Sequence, residues 1–599
     1  MLKTIIPATL EFTDGVPNSA ACGDIGQARH VFLQGCDLPE KWAGREAFVV
    51  LETGFGSGLN FLATWAAWRA DPARPARLHF LSAEKHPFRA DDLTRLHARW
   101  PECAALASEL RANWPTLTPG FHRIALDGGR VQLTLMLGDM LDSLPNVQAG
   151  VDAFYLDGPA PADNPGWWQP RLFNELARLA KPGATAAACT AARPLRQGLT
   201  QAGFVCETRA GHDRQSPCLS ARFADTSRWV ERAAPRHVVV VGAGVAGAAV
   251  AHALAQRGVA VTVLERADSP AQAASGNPVA VFRPVISRDD NRASRLTRAA
   301  FLHDLRAWAA LDGIEWSRCG VLHLARDADA ATKKQQQALA ATMPPAEFAR
   351  WVDQAEACEL ANWPVASPGV FFPTAGWVVP RSLCRAWLDH PAIVLRTGCA
   401  VACVQPVASG WQVLDRDGAV LADADAVVLA NARDVLSLAP DPAWPLHTVR
   451  GQITQLPPGC LPQIQRVIAR EGYVAPGGGQ LLVGATYEHD DDDTTPRTAS
   501  DLANLARLEA ILPGASEVVV VGAISGRASL RATLPDRLPI VGAVGGQAGL
   551  FVAAGYASRG VVWGGLLGEA LADLMTQHPV PLEADLMQAI APARYSQKT

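Results

Sequence analysis

The chain has 599 residues, 49% of them apolar and 19% charged, with a formal net charge of -4. At roughly 150 residues per domain, this length predicts several folding units with sizeable cores and excludes a disordered or strongly basic chain. A nucleic-acid partner would have to be met by a local basic patch, because the overall charge does not attract one.

In chain order, the N-terminus (MLKTIIPATLEFTDG) has only a short apolar run followed by acids, which does not read as a signal peptide. The first strong signal is FVVLETGFGSGLNFLATWAAW. A β-rich run from Phe48 to Leu51 reaches Gly54, Gly56 and Gly58, and a helical pattern follows from about Leu59. RLHFLSAEKHP then reads as a strand ending at Glu84, VQLTLMLGDMLDSLP as one ending near Asp139, and VDAFYLDGPAPADNP as one ending at Asp157. LARLAKPGATAAACTAA supplies a helix and another strand. Alternating strands and helices predict a parallel sheet with helices on both faces, binding its ligand at the carboxyl ends of the strands.

Glycines there let the backbone approach a ligand, Glu84 suits two ribose hydroxyls and Asp139 an adenine amino group. Such a site fits S-adenosylmethionine, which carries no phosphate. Asp157 is the candidate for chemistry, taking a proton from or orienting an amine acceptor, with a capping role as the simpler alternative. Trp167 and Trp168 are candidates for stacking, with core packing expected of at least one. ADTSRWVERAAPR (Ala224 to Arg236) reads as a linker, placing a Rossmann-like methyltransferase domain at 1–225 and a linker at 226–236.

The second unit opens with HVVVVGAGVAGAAVAHALA, long enough to span a bilayer but better read as strand, turn and helix. Gly242, Gly244 and Gly247 form G-x-G-x-x-G after a strand, and Glu265 ends the next strand, 23 residues beyond Gly242. That is the dinucleotide fingerprint: close pyrophosphate approach, a helix N-terminus for the phosphates and an acid for the ribose. ADAVVLANA (Ala424 to Ala432) reads as a strand of the same sheet. A strand, glycine turn and helix near the C-terminus, containing Gly555 and Arg559, favour a flavin over a nicotinamide. The predicted domain is 237–599, with an FAD-binding part at about 237–300, 420–445 and 516–599. A substrate part is expected at about 301–420 and 446–515. The acidic run His489 to Asp493 reads as a solvated loop. The twelve cysteines form no C-x-x-C pair and are expected to be buried free thiols of a cytoplasmic protein, with no metal site spelled out.

The segments HVFLQGCDLPEKW, LETGFGSGLNF, SAEKHP, FYLDGPAPADNP, GAGVAGAAVA, ASGNPVAVFRPVIS and GYASRG resemble the MnmC family, the bifunctional tRNA 5-methylaminomethyl-2-thiouridine biosynthesis proteins. The resemblance covers nearly the whole chain. It implies an α/β chain in which a methyltransferase is fused to a two-subdomain amine oxidase similar to glycine and D-amino-acid oxidases. The oxidase half would use FAD to remove the carboxymethyl group from 5-carboxymethylaminomethyl-2-thiouridine at the tRNA wobble position, and the other half would methylate the exposed amine.

Carried over by position, Gly54, Gly56, Gly58, Glu84 and Asp139 would line the S-adenosylmethionine site and Asp157 would face the amine. Arg531, in RATLPDRLPIVG, would hold the substrate carboxylate, as a bidentate guanidinium can. The chain departs from the family pattern in NSAACGDIGQARH, at Cys36, and in GHDRQSPCLSARF, where Arg214 stands alone. Two other readings stay open: a glycine or sarcosine oxidase fused to a small-molecule N-methyltransferase, and an oxidase whose other half is a degenerate RNA-binding module. The tRNA surface is expected to be an arginine face near the linker, with Arg228, Arg232 and Arg236 as candidates.

Overall fold

The computed structural model describes residues 4–10, 12–13, 16–17, 24–158, 167–212, 217–225, 229–230, 232–326, 330–439 and 444–595. Arg214 and Arg228, and most of the proline-rich loop after Asp157, lie outside them. The chain divides into two compact units, one formed by Lys3–Ala233 with Gln577–Asp585, the other by Ala234–Thr576 with Leu586–Thr599 and the first two residues.

The first unit is built on an eight-stranded sheet. Its order is Gly120–Leu126, Val131–Leu137, Arg77–Glu84, Ala47–Glu52, Val151–Tyr155, Ala180–Ala188, Cys218–Phe223, Phe204–Arg209. The pairings from Val131–Leu137 through Ala180–Ala188 are parallel. The sheet is not parallel throughout, because antiparallel strands pair at both flanks. Side chains alternate across a strand buried on both faces: Phe48 and Val50 enter one core, Val49 and Leu51 the other.

Segment 577–585 belongs to this unit, where a reading from sequence alone runs the second domain unbroken to 599. Val580 and Leu582 are buried, the Val580 amide donates to the Gln148 carbonyl at 3.0 Å, and Arg123 donates to the Pro579 carbonyl.

The second unit has a six-stranded sheet in the order Ile393–Arg396, Ala260–Leu264, His237–Val241, Ala426–Leu429, Leu550–Ala554, Ile540–Ala543, parallel except for the last pair. The stretch His237 to Ala255 is therefore a buried strand and the helix Val245–Gln256. Among the described residues no helix is long and apolar enough to cross a membrane.

A nine-stranded mixed sheet forms the other layer, centred on His447–Leu456. Two expected boundaries shift. Ile393–Arg396 joins the dinucleotide-type sheet although it falls in the expected substrate part. Ser525–Thr533 leaves the expected FAD part to pair with His447–Leu456 along its whole length. Sheet partners are chosen by long-range register, which local pattern does not encode.

The acidic run is not simply solvated. Asp492 pairs with Arg433 at 2.6 Å and Asp493 with Arg497 at 2.9 Å, while Glu488, just before the run, pairs with the fully buried Arg450 at 2.7 Å. Among the described residues no group of His, Cys, Asp or Glu could hold a metal ion. The described cysteines are free thiols, but only Cys36, Cys103, Cys218 and Cys384 are fully buried.

Candidate functional sites

In the first unit the turn after Ala47–Glu52 is left-handed at Gly58 (φ 79°), where a Cβ would stand 2.7 Å from the Phe55 ring; glycine meets both conditions without strain. Gly54 packs against the Asp157 carbonyl, 3.1 Å from where its Cβ would be. The Gly56 amide donates to Glu84 Oε2 at 2.8 Å, and the His86 amide to Glu84 Oε1 at 2.7 Å. The Gly138 amide reaches the Glu84 carbonyl, and Asp139 caps the short helix Met140–Ser143 through the Leu141 amide while pairing with Lys85 at 3.2 Å. Gly54, Gly56, Gly58, Glu84, Asp139 and Asp157 thus gather at the carboxyl ends of four adjacent strands.

Two residues beside Asp157 escape sequence reasoning. Asn60 Nδ2 donates at 2.8 Å both to Asp157 Oδ2 and to Glu52 Oε1, and Ser82 Oγ donates to Glu52 Oε2 at 2.7 Å. Burial raises the Asp157 carboxyl above its ordinary value against the Asn60 hydrogen bond. Burial, reinforced by the Asp157 charge, pushes Glu52 much further up. Of the pair, Glu52 is pushed further toward its neutral form than Asp157. An acid ending an otherwise apolar strand, with an amide two residues past the last glycine, was the available signal. Trp168 lies in the core against Phe173. Trp167 is half-buried over Gly158, its indole N–H without an acceptor among the described residues.

In the second unit a cleft of about 1190 Å³ runs from the glycine turn to the large sheet, lined by Gly242, Gly244, Glu265, Arg531, Gly555 and Arg559 among others. Gly242 is left-handed (φ 104°) with the Ala430 carbonyl oxygen 2.8 Å from where a Cβ would sit. Gly247 is set behind the cleft, against the Gly242 carbonyl. Glu265 accepts from the Ala243 amide at 2.8 Å and from the Ala267 amide at 2.9 Å, bracing the turn and keeping lone pairs for a ligand hydroxyl. Asn431 lines the same cleft with a buried Oδ1 that has no donor among the described residues. The close-packed turn, the strand-end acid and this open acceptor fit a dinucleotide such as FAD.

Arg527, also missed from sequence, crosses from the large sheet to hold the ASGN loop through the carbonyls of Gln272 (2.8 Å) and Ala273 (2.7 Å). Arg531, from the same strand, lies 4.6 Å over the Tyr487 ring and donates to the Thr486 carbonyl at 3.2 Å. Among the described residues no acid is in ion-pair range of it.

Comparison with known proteins agrees with this division. Residues 237–574 match the family model of FAD dependent oxidoreductases, and residues 101–224 that of S-adenosyl-L-methionine-dependent methyltransferases. The tRNA 5-methylaminomethyl-2-thiouridine biosynthesis bifunctional protein MnmC of Thiobacillus denitrificans is 70% identical, over 100% of this chain and 99% of its own. The chain belongs to the MnmC family. The MnmC of Aromatoleum aromaticum is 45% identical over 99% of this chain and 98% of its own. Glycine oxidase from Bacillus cereus (TM-score 0.50, 22% identity, 58% of this chain and 98% of that one) shares the fold of the oxidoreductase part. L-proline dehydrogenase from P. horikoshii does so too (0.51, 17%, 61% and 99%). As in other MnmC proteins by family, one unit is an S-adenosyl-L-methionine-dependent methyltransferase and the other an FAD-dependent oxidoreductase.

Proposed function

We propose that this protein modifies the wobble uridine of tRNA in two consecutive steps, the second unit acting first. The observation that carries the reading is the full-length identity to MnmC together with the presence of both sites in one chain. In the cleft, Gly242, Gly244, Gly247, Glu265, Gly555 and Arg559 are assigned to FAD and Arg531 to the carboxylate of the 5-carboxymethylaminomethyl group. A guanidinium held over the Tyr487 ring, with no acid in ion-pair range among the described residues, can grip that carboxylate bidentately and fix which C–H bond faces the flavin. When bound, FAD supplies the two-electron oxidation of that amine, and water cleaves the imine product to the aminomethyl nucleoside and an aldehyde fragment.

In the first unit Gly54, Gly56, Gly58, Glu84 and Asp139 are assigned to S-adenosylmethionine. The 5-aminomethyl nitrogen attacks the sulfonium methyl once its lone pair is available. Asp157 takes the proton, with Asn60 orienting its carboxylate and the burial that pushes Glu52 toward its neutral form limiting the negative charge beside it. The product is 5-methylaminomethyl-2-thiouridine. The protein is assigned to the cytoplasm, where tRNA is found.

Incubation with undermodified tRNA, FAD and S-adenosylmethionine, followed by mass spectrometry of the nucleosides, tests the reading. Loss of the carboxymethyl nucleoside and gain of the methylaminomethyl nucleoside is expected. Persistence of the former with consumption of glycine or sarcosine would overturn it, and accumulation of the amine despite S-adenosylmethionine would remove the methyl-transfer half.

A further inference from the structure

A second cationic station stands in the oxidase cleft apart from Arg531. Arg283 follows the short strand Ala280–Phe282 and lines the cleft with Arg326 and Arg559. Its Nη1 donates to the Pro284 carbonyl at 3.1 Å and its guanidinium lies 5.7 Å from the Phe372 ring, contacts that pack the group without neutralising it. Burial, with the charges of Arg559 and Arg326, pulls Arg283 down to about 10, and burial with the Arg283 and Arg326 charges drives His323 well below its ordinary value.

Among the described residues, the acids lining the cleft are engaged elsewhere or are out of ion-pair range of Arg283. Glu265 is bound to backbone amides, Asp434 pairs with Arg266 at 2.7 Å, and among the described residues neither these nor Glu471 is in ion-pair range of Arg283. Arg283 and Arg559 are partly buried and Arg326 is exposed, and like charges gathered there with no counterion among the described residues repel, so the counterion is expected from a ligand. A free amino acid brings one carboxylate, which Arg531 takes. A nucleotide within RNA also brings phosphodiesters.

We propose that Arg283, supported by Arg326, binds a backbone phosphate of the RNA substrate and so selects a nucleotide in a chain over a free amino acid. This rests on the reading of the cleft as a tRNA oxidase. The station sets specificity by making a charge-assisted contact that only a phosphate-bearing substrate offers.

The test compares the wild type with Arg283→Gln and Arg283→Lys on two substrates, undermodified tRNA and the free 5-carboxymethylaminomethyl nucleoside. Wild-type turnover of tRNA is established first. Should the wild type instead oxidise glycine and ignore tRNA, the reading of the cleft fails at that point, before any variant is compared.

With turnover established, the ratio of kcat/KM for tRNA to that for the nucleoside is expected to fall at least tenfold in Arg283→Gln and to recover in part in Arg283→Lys. The log–log salt dependence of kcat/KM for tRNA should become shallower by about 0.7, the value of one phosphate contact on a single strand. An equal fall on both substrates with an unchanged salt slope overturns the proposal and gives Arg283 to the carboxylate or to packing. Loss of bound flavin, read from the absorption spectrum, overturns it in favour of the cofactor's own phosphates.

Discussion

The two glycine turns of this chain share one device and then diverge. Each follows a buried strand, each contains a left-handed glycine, and each is braced by the acid ending the next strand: Glu84 accepts from Gly56, Glu265 from Ala243. Beyond the turn the first site carries the acids Asp139 and Asp157, with Glu52 pushed toward its neutral form, and the second carries arginines, Arg283, Arg531 and Arg559. The signs match the ligands. A sulfonium and an amine that must shed a proton favour a negative site, whereas a carboxylate and a phosphodiester favour a positive one. A shared turn fixes where a ligand lies, and the charges around it fix which chemistry follows.

The largest effect that could break this contrast is at Asp157. Asp157→Ala is expected to lower methyl transfer by about 10² to 10⁴-fold, the range of a positioned proton acceptor, while carboxymethyl removal continues and the aminomethyl nucleoside accumulates. Nucleoside mass spectrometry reads both steps at once, and undiminished methylation would take Asp157 out of the chemistry. Next comes Arg531→Ala, for which kcat/KM of the oxidase step should drop by about 10 to 10²-fold with flavin retained, the loss of one charge-assisted pair. Normal turnover would move the carboxylate elsewhere.

Smaller, and sharper on the sign of the first site, is a stability effect. Burial raises Glu52 and Asp157, so the fold favours their protonated forms and the wild type loses stability as pH rises through their folded values. Glu52→Gln removes the larger of these burdens. Its Tm should exceed that of the wild type at pH 8, and the gap should close as pH falls below the ordinary carboxylate range. A gap independent of pH would mean that Glu52 is not the titrating group.

What could be read from the sequence was what is local. Gly54 to Gly58, Gly242 to Gly247 and the acids at 84 and 265 announce themselves because a turn needs them at fixed spacing from a strand. Asp157 was legible for the same reason. Asn60 and Glu52 were not, since Asn60 acquires its meaning from a hydrogen bond to Asp157, 97 positions away, and Glu52 from its own bond to Asn60. Arg527 and Arg283 read as ordinary arginines until the large sheet brings one to the ASGN loop and the cleft gathers the other with Arg326 and Arg559. The exchange of Ile393–Arg396 and Ser525–Thr533 between expected parts has the same cause. Of the proposed arginine face, Arg232 and Arg236 are exposed.

The return of Gln577–Asp585 to the first unit has a consequence for how the protein is made. The methyltransferase emerges first from the ribosome, yet Val580 and Leu582 fill buried places in it, and the ring of His578 lies 4.8 Å from that of His79. During synthesis that unit waits, with those places open, until nearly the entire oxidoreductase has been translated. A stop codon anywhere between the linker and residue 577 would damage the half encoded before it as well as the half it truncates. A gene that ends before residue 577 is therefore expected to encode a methyltransferase unit lacking two of its buried side chains.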